Sequence, residues 1–141
     1  MDEAEIRRRL DESRVARLAT TGADGAPHIV PICFALIAGE IFFAVDYKPK
    51  RTTDLQRLRN IAARPNVSVL VDHYEEDWSR IWWVRIDGRA RVLEAVDASE
   101  QAIDVLSARY PQYRLRRPSG PVVSIRIDRL SGWSASASAR S

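Results

Sequence analysis

Apolar and polar residues alternate in short runs along this chain, and turn signals separate the runs. Ile6 and Leu10 mark one thin apolar face behind the capping pair Asp2 and Glu5, which predicts a short amphipathic helix ending near Ser13. Val15 to Thr21 alternates as a strand, and Asp24-Gly25 supplies the positive φ that a tight hairpin needs. Pro27 to Leu36 reads as the return strand, Ala38-Gly39 as a second turn, and Glu40 to Asp46 as a third strand, which together give an antiparallel meander. Thr53 and Gln56 form a second capping box, and Leu55, Leu58 and Ile61 recur at three-residue steps in a helix that stops before Pro65.

In the second half, Val67, Val69 and Val71 alternate with Ser68, Leu70 and Asp72 as a fourth strand, and an acidic loop runs from Tyr74 to Trp78. Arg80 to Glu94 is a long β-prone stretch interrupted at Asp87-Gly88. Gly88 reads either as a hairpin turn or, preferably, as a bulge that lets one long strand bend. Asp97 and Glu100 make a third capping box, ahead of a helix with Ile103, Leu106 and Tyr110 on its apolar side that stops before Pro111. A loop from Tyr113 to Gly120 and a last strand from Pro121 to Asp128 complete the pattern. Six strands with three helices, mainly hairpin-connected, favour a closed or split antiparallel barrel over a βαβ layout. Residues 1–133 form one domain, and the serine- and alanine-rich residues 134–141 read as a disordered tail.

Composition narrows the function classes. A net charge of +3 with mixed signs gives weak support to an anionic ligand and poor support to a nucleic-acid surface. No window approaches the roughly 20 apolar residues of a membrane span, and the N-terminus does not resemble a signal peptide, so a cytoplasmic location is expected. The single cysteine, Cys33, excludes an intramolecular disulfide and reads as a buried, inert thiol.

Side-chain chemistry is sparse. His28 and His73 have no serine or cysteine partner at a recognisable nucleophile elbow, and with Cys33 they lack metal-ligand spacing. No catalytic residue and no metal site is assigned. That absence is informative, because redox proteins can leave the reaction to a bound cofactor. Both lysines, Lys48 and Lys50, fall with Arg51 between a strand and a helix start, where free N–H groups and the helix dipole favour an anion. Arg57 and Asn60 share a face of the following helix, and Arg59 adds charge, while Asp54 opposes it. Adjacent Trp82 and Trp83 point to opposite faces of their strand, so one of them meets solvent, a ligand or another subunit.

The stretches ARLATTGADGAPHIVPICFAL, KPKRTTDLQRLRNIAARPNVSVLVDHYEEDWS and IWWVRIDGRARVLE resemble the pyridoxamine-phosphate-oxidase-like split β-barrels. Within these, the likeness is to the actinobacterial branch that uses the deazaflavin coenzyme F420, and the arginine-rich, lysine-poor composition agrees with such a source. The resemblance covers roughly residues 5 to 133 and implies a six-stranded antiparallel split barrel, mainly β with α, with flanking helices. It also implies a homodimer with cofactor sites at the subunit interface, in which aromatic residues of one subunit complete the pocket of the other. Carried over residue by residue, Arg57 and Asn60 match the basic-x-x-Asn step of the phosphate-binding helix, and Lys48, Lys50 and Arg51 match the basic segment before it. His28 and Pro31 fall on the strand that flanks the ring, Trp78 matches the aromatic after the acidic loop, and Trp82 and Arg85 complete the set. The activity implied is hydride transfer between reduced F420 and a small-molecule acceptor. The alternatives are the same fold with FMN as cofactor, or a non-catalytic protein that binds F420 or haem.

Overall fold

In the computed structural model, which describes the backbone of residues 1–45 and 52–138, antiparallel pairing dominates from the first strand to the last. Helix α1 (Glu3–Glu12) begins where the Asp2 carboxylate accepts a 2.8 Å hydrogen bond from the Glu5 N–H, and it buries Ile6 and Leu10. Strands β1 (Ala16–Thr21), β2 (Pro27–Ile32), β3 (Ala35–Ile37) and β4 (Glu40–Ala44) follow, then α2 (Thr52–Ala63) and β5 (Asn66–His73). A 3-10 turn at Trp78–Arg80 leads into β6 (Trp82–Val92), and α3 (Val96–Arg109) and α4 (Pro111–Leu115) precede β7 (Val122–Ser134) and α5 (Ala135–Ser138). The strands form one curled seven-stranded sheet in the order β2-β1-β5-β6-β7-β4-β3, a half-barrel with helices against it.

Seven strands replace the six expected, because the predicted strand from Pro27 to Leu36 is two. At the break, the buried Phe34 exchanges sheet pairing for a side chain: its N–H donates to the Tyr110 hydroxyl (3.0 Å), which in turn donates to the Phe34 carbonyl (2.9 Å). Both backbone groups are satisfied without a neighbouring strand, so β2 and β3 diverge to opposite edges of the sheet.

Gly88 is the bulge, not a turn. The β6–β7 register slips between Asp87 and Gly88, and a Cβ on Gly88 would lie 2.2 Å from the Arg126 carbonyl oxygen. The last strand also outruns its predicted end at Asp128, because Leu130 to Ser134 pair with Trp82 to Ile86 of the long β6. Strand pairing therefore reaches Ser134, and α5 covers Ala135–Ser138. The capping box expected at Asp97 and Glu100 does not form: α3 starts at Val96 with Ala95 as an N-cap lacking a side-chain bond. The chain leaves its pairing with β7 at Leu93 and turns straight into the helix, so Asp97 sits inside the first turn and Glu100 instead accepts from Arg117 at 2.7 Å. Pro111 ends α3 and, with no N–H to satisfy, opens α4, which takes up part of the expected loop.

Two cores result. The larger lies between the inner sheet face and α1 and α2, around Ile6, Leu10, Leu18, Phe34, Phe43, Ile61, Val69, Ile86 and Ile125. Each fully buried aliphatic or aromatic side chain there contributes about 1.5–3 kcal/mol of transfer free energy. The smaller packs Ala102, Ile103, Leu106 and Tyr110 of α3 on Ala35, Ala44 and Val122, with Cys33 half-buried at its margin rather than fully enclosed. No helix of the described residues is long and apolar enough to cross a membrane.

Candidate functional site

The β1–β2 hairpin and α2 meet at one end of β5. Gly25 takes the left-handed φ of +85° that the turn demands, and Asp24 accepts from the Ala26 N–H at 3.0 Å. Arg64, just past α2, donates to the Gly22 carbonyl at 3.1 Å and ties the turn to the helix. Thr20 lies opposite His28 in the hairpin, and its hydroxyl accepts from the Asn60 amide at 3.0 Å. Gln56 donates to the other end of that amide at 2.7 Å, so Asn60, 2% exposed, is spent on joining α2 to β1. One turn earlier, the half-buried Arg57 holds its guanidinium 5.8 Å from the centre of the Phe43 ring. His28 is half-buried on the inner face of β2, and its Nδ1 is buried with no partner among the described residues. A buried ring nitrogen without a partner is costly and marks a place where a donor or acceptor is wanted.

A second group runs from the middle of β5 to its opposite end, about 10–20 Å away at strand rise. Register sets it: His73 faces Trp82, Asp72 faces Trp83, and Leu70 faces Arg85. Trp82 turns toward the core and is already in company, with the Arg9 guanidinium 4.8 Å over its ring and His73 stacked at 6.5 Å. His73 also contacts Glu75, which pairs with Arg80 at 3.5 Å. Trp78 stands 68% exposed on the 3-10 turn, which Asp77 caps through hydrogen bonds to the Ser79 hydroxyl and N–H. Those two bonds hold the Asp77 carboxyl below its ordinary pKa. At this end of the sheet, Leu70, Asp72, Tyr74, Ile81, Trp83 and Arg85, together with His73 and Trp82, line a cleft of about 360 Å³. Asp87 accepts from Ser68 at 2.6 Å and from Arg85 at 3.1 Å; its carboxyl is held below the usual range, first by the Ser68 hydroxyl and then by Arg85.

The structure thus brings His28, Arg57 and Asn60 together at one end of β5 and places Trp82 at the other, with Trp78 on the adjoining 3-10 turn, whereas Arg85, opposite Leu70, lies midway along the strand. Pro31 lies on the outer face of β2, in one row with Arg17 of β1, Leu70 of β5 and Arg85 of β6. Lys48, Lys50, Arg51 and the Thr53 side chain of the second capping box lie outside the described residues. Sequence reasoning passed over Leu70, Tyr74 and Arg9. Leu70 carried a usable signal, as the one apolar residue on the polar phase of its strand. No group of three metal-ligating side chains occurs among the described residues.

A curled antiparallel half-barrel with helices on its flanks defines the split-barrel class of cofactor-binding folds. The chain belongs to the pyridoxamine 5'-phosphate oxidase family, whose sequence profile matches residues 2–134. Among solved structures, it is similar to a conserved hypothetical protein of Mycobacterium tuberculosis at 28% identity and a TM-score of 0.79, over 96% of this chain and 86% of that one. It shares its fold with a FAD-binding protein of Mesorhizobium loti (24% identity, TM-score 0.71, 94% of each chain). It also shares it with a haem storage protein of Vibrio cholerae (18% identity, TM-score 0.72, 94% of this chain and 93% of that one). No curated protein matches the sequence.

Proposed function

We propose that this protein is a homodimeric oxidoreductase that holds coenzyme F420 and passes a hydride between it and a small-molecule acceptor. The observation that carries the reading is that His28, Arg57 and Asn60 gather at one end of β5, whereas Trp78 and Trp82 stand at the other, with Arg85 partway between. A site assembled from two subunits needs such a division, because each chain then offers its anion-binding end to one cofactor and its aromatic end to the other. When bound and reduced, a deazaflavin supplies a hydride from a ring carbon to an electron-poor double bond. The chain's own task is to bind, orient and exclude water. Arg57, with Lys48, Lys50 and Arg51 of the adjoining segment, would hold the phosphodiester and the acidic tail. His28 would direct its unpartnered Nδ1 toward the bound group, and Pro31 would border the ring. Trp78, Trp82 and Arg85 of a second copy would form the opposite wall. The His28 orphan and the cation on α2 fit an anionic ring-bearing cofactor.

FMN is the second reading, favoured by the family itself and by the FAD-binding neighbour in Mesorhizobium loti. Titration of the purified protein with each cofactor, read by tryptophan fluorescence at several salt concentrations, separates the two. Tighter, salt-sensitive binding of F420 supports the first reading, and the reverse preference supports the second. A haem absorption band would move the protein toward storage instead. Removing both cations in the double variant Lys50→Ala, Arg57→Ala is expected to weaken F420 binding about tenfold or more, the scale of one lost charge-assisted bond. Unchanged affinity would refute the anion site.

A further inference from the structure

The cleft between β5 and β6 has a chemistry of its own. Leu70 is its floor, lying between Arg17 on β1 and Arg85 on β6 in the same row of the sheet. One row along, Trp83 lies between Asp72 and Trp133, and Tyr74 and Ile81 close the sides. Both adjacent tryptophans line the cleft, but Trp82 is already engaged by Arg9 and His73, whereas Trp83 belongs to the outer face beside Leu70 and Arg85. A volume of about 360 Å³ suits a molecule of two fused rings.

Charge in the cleft is asymmetric. Arg17 is matched by Asp72 at 3.3 Å. Arg85 spends Nε on Asp87 at 3.1 Å, and its Nη groups donate to no acceptor among the described residues. The cleft therefore offers one forked cation beside an apolar floor and an indole. Asp72 on the far rim repels a second negative group. Arg85 can take a carboxylate through its Nη pair without giving up Asp87, since the guanidinium fork presents five donors.

We propose that this cleft is the acceptor subsite, and that the acceptor is a planar aromatic monoanion with its ring against Trp83 and Leu70 and its carboxylate on Arg85. The proposal rests on the reading above, in which the aromatic end of one chain faces the cofactor held by another: an acceptor seated on Trp83 would then lie between that wall and the cofactor ring. It names a substrate class, aromatic or conjugated carboxylic acids, and excludes dianions and neutral rings as preferred ligands.

The test uses cofactor-free protein, so its result is independent of the cofactor titration. The probes are 2-naphthoate and its uncharged analogue 2-naphthamide, with binding followed by calorimetry. The expected result is naphthoate binding at least tenfold tighter than naphthamide. Arg85→Gln should erase that preference and Arg85→Lys should retain part of it. Trp83→Leu should weaken both probes about tenfold while the charge preference persists. Arg85 is 56% exposed in its pair with Asp87, so the glutamine variant is expected to fold normally, checked by an unchanged thermal midpoint. Equal binding of the two probes by the unaltered protein overturns the proposal, as does a preference that survives Arg85→Gln. Displacement of naphthoate by saturating F420 or FMN also overturns it, by giving the cleft to the cofactor ring.

Discussion

At the scale of single residues, Asp87 couples the outer face to pH. Its carboxyl titrates below its ordinary value because the Ser68 hydroxyl, and after it Arg85, bond the ionised form, while partial burial works the other way. A depressed folded-state pKa means that the stabilisation is fully present above the unfolded value of about 3.9 and is lost as pH falls through the folded value. Ser68→Ala removes the largest cause, so it should cost about 1 kcal/mol at pH 7, the scale of a hydrogen bond to a partly exposed charge. Urea midpoints of the two proteins should converge as pH drops from about 5 toward 3. A gap that stays constant over that range would show that the hydroxyl does not set the Asp87 titration. The same residue links sequence to site: Asp87 precedes the Gly88 bulge and orients Arg85, so a bend in β6 determines where the cleft's cation stands.

At the scale of elements, the separation of β2 from β3 depends on one phenol. Tyr110 → Phe would leave the buried N–H and C=O of Phe34 without the partners they now have at 3.0 and 2.9 Å. Unsatisfied buried backbone groups cost about 1–3 kcal/mol each, so a loss of roughly 3 kcal/mol is expected in equilibrium denaturation. A loss under about 0.5 kcal/mol would mean that water replaces the hydroxyl and that the break has another cause. This contact also explains which parts of the fold the sequence disclosed. Local signals were readable: Asp2 capping Glu5, the Asp24-Gly25 turn, the valine alternation of β5 and the glycine bulge all act within a few residues. The break at Phe34 carries no glycine or proline, because its cause lies 76 residues away in sequence. Leu130 to Ser134 pair only because β6 is long enough to need them, and Asp97 failed as a cap because the path from β6 into α3 leaves Ala95 at that position. The strand that carries His28 and the helix that carries Arg57 were legible as elements. The cleft was less so, because only register places Leu70 beside Arg85 and Trp83 beside Asp72.

At the scale of the molecule, the two faces of the half-barrel differ in a way that bears on assembly. The inner face is covered by α1 and α2, whereas the outer face leaves Ile29 66% exposed on β2 and Trp133 39% exposed on β7, with Leu70 and Trp83 between them. This face, where exposed apolar side chains are interleaved with Arg17, Arg85 and Arg129, is the surface a second copy would cover in the proposed dimer. Ile29 is the best probe of it, since it faces Ala19 across the hairpin, is largely exposed and touches no part of the core. Ile29→Asp should therefore leave the fold and its thermal midpoint almost unchanged in a dilute monomer. It should shift the mass in light scattering from twice the 16.0 kDa of one chain to a single chain, because a buried, unpaired carboxylate at an apolar interface is strongly unfavourable. Cofactor affinity should fall with it, by tenfold or more, if Trp78 and Arg85 act from the second subunit. A variant that remains dimeric would place the interface elsewhere. A monomer that binds cofactor as tightly as the unaltered protein would show that each chain holds a complete site, and would remove the division along β5 as the basis for a shared one.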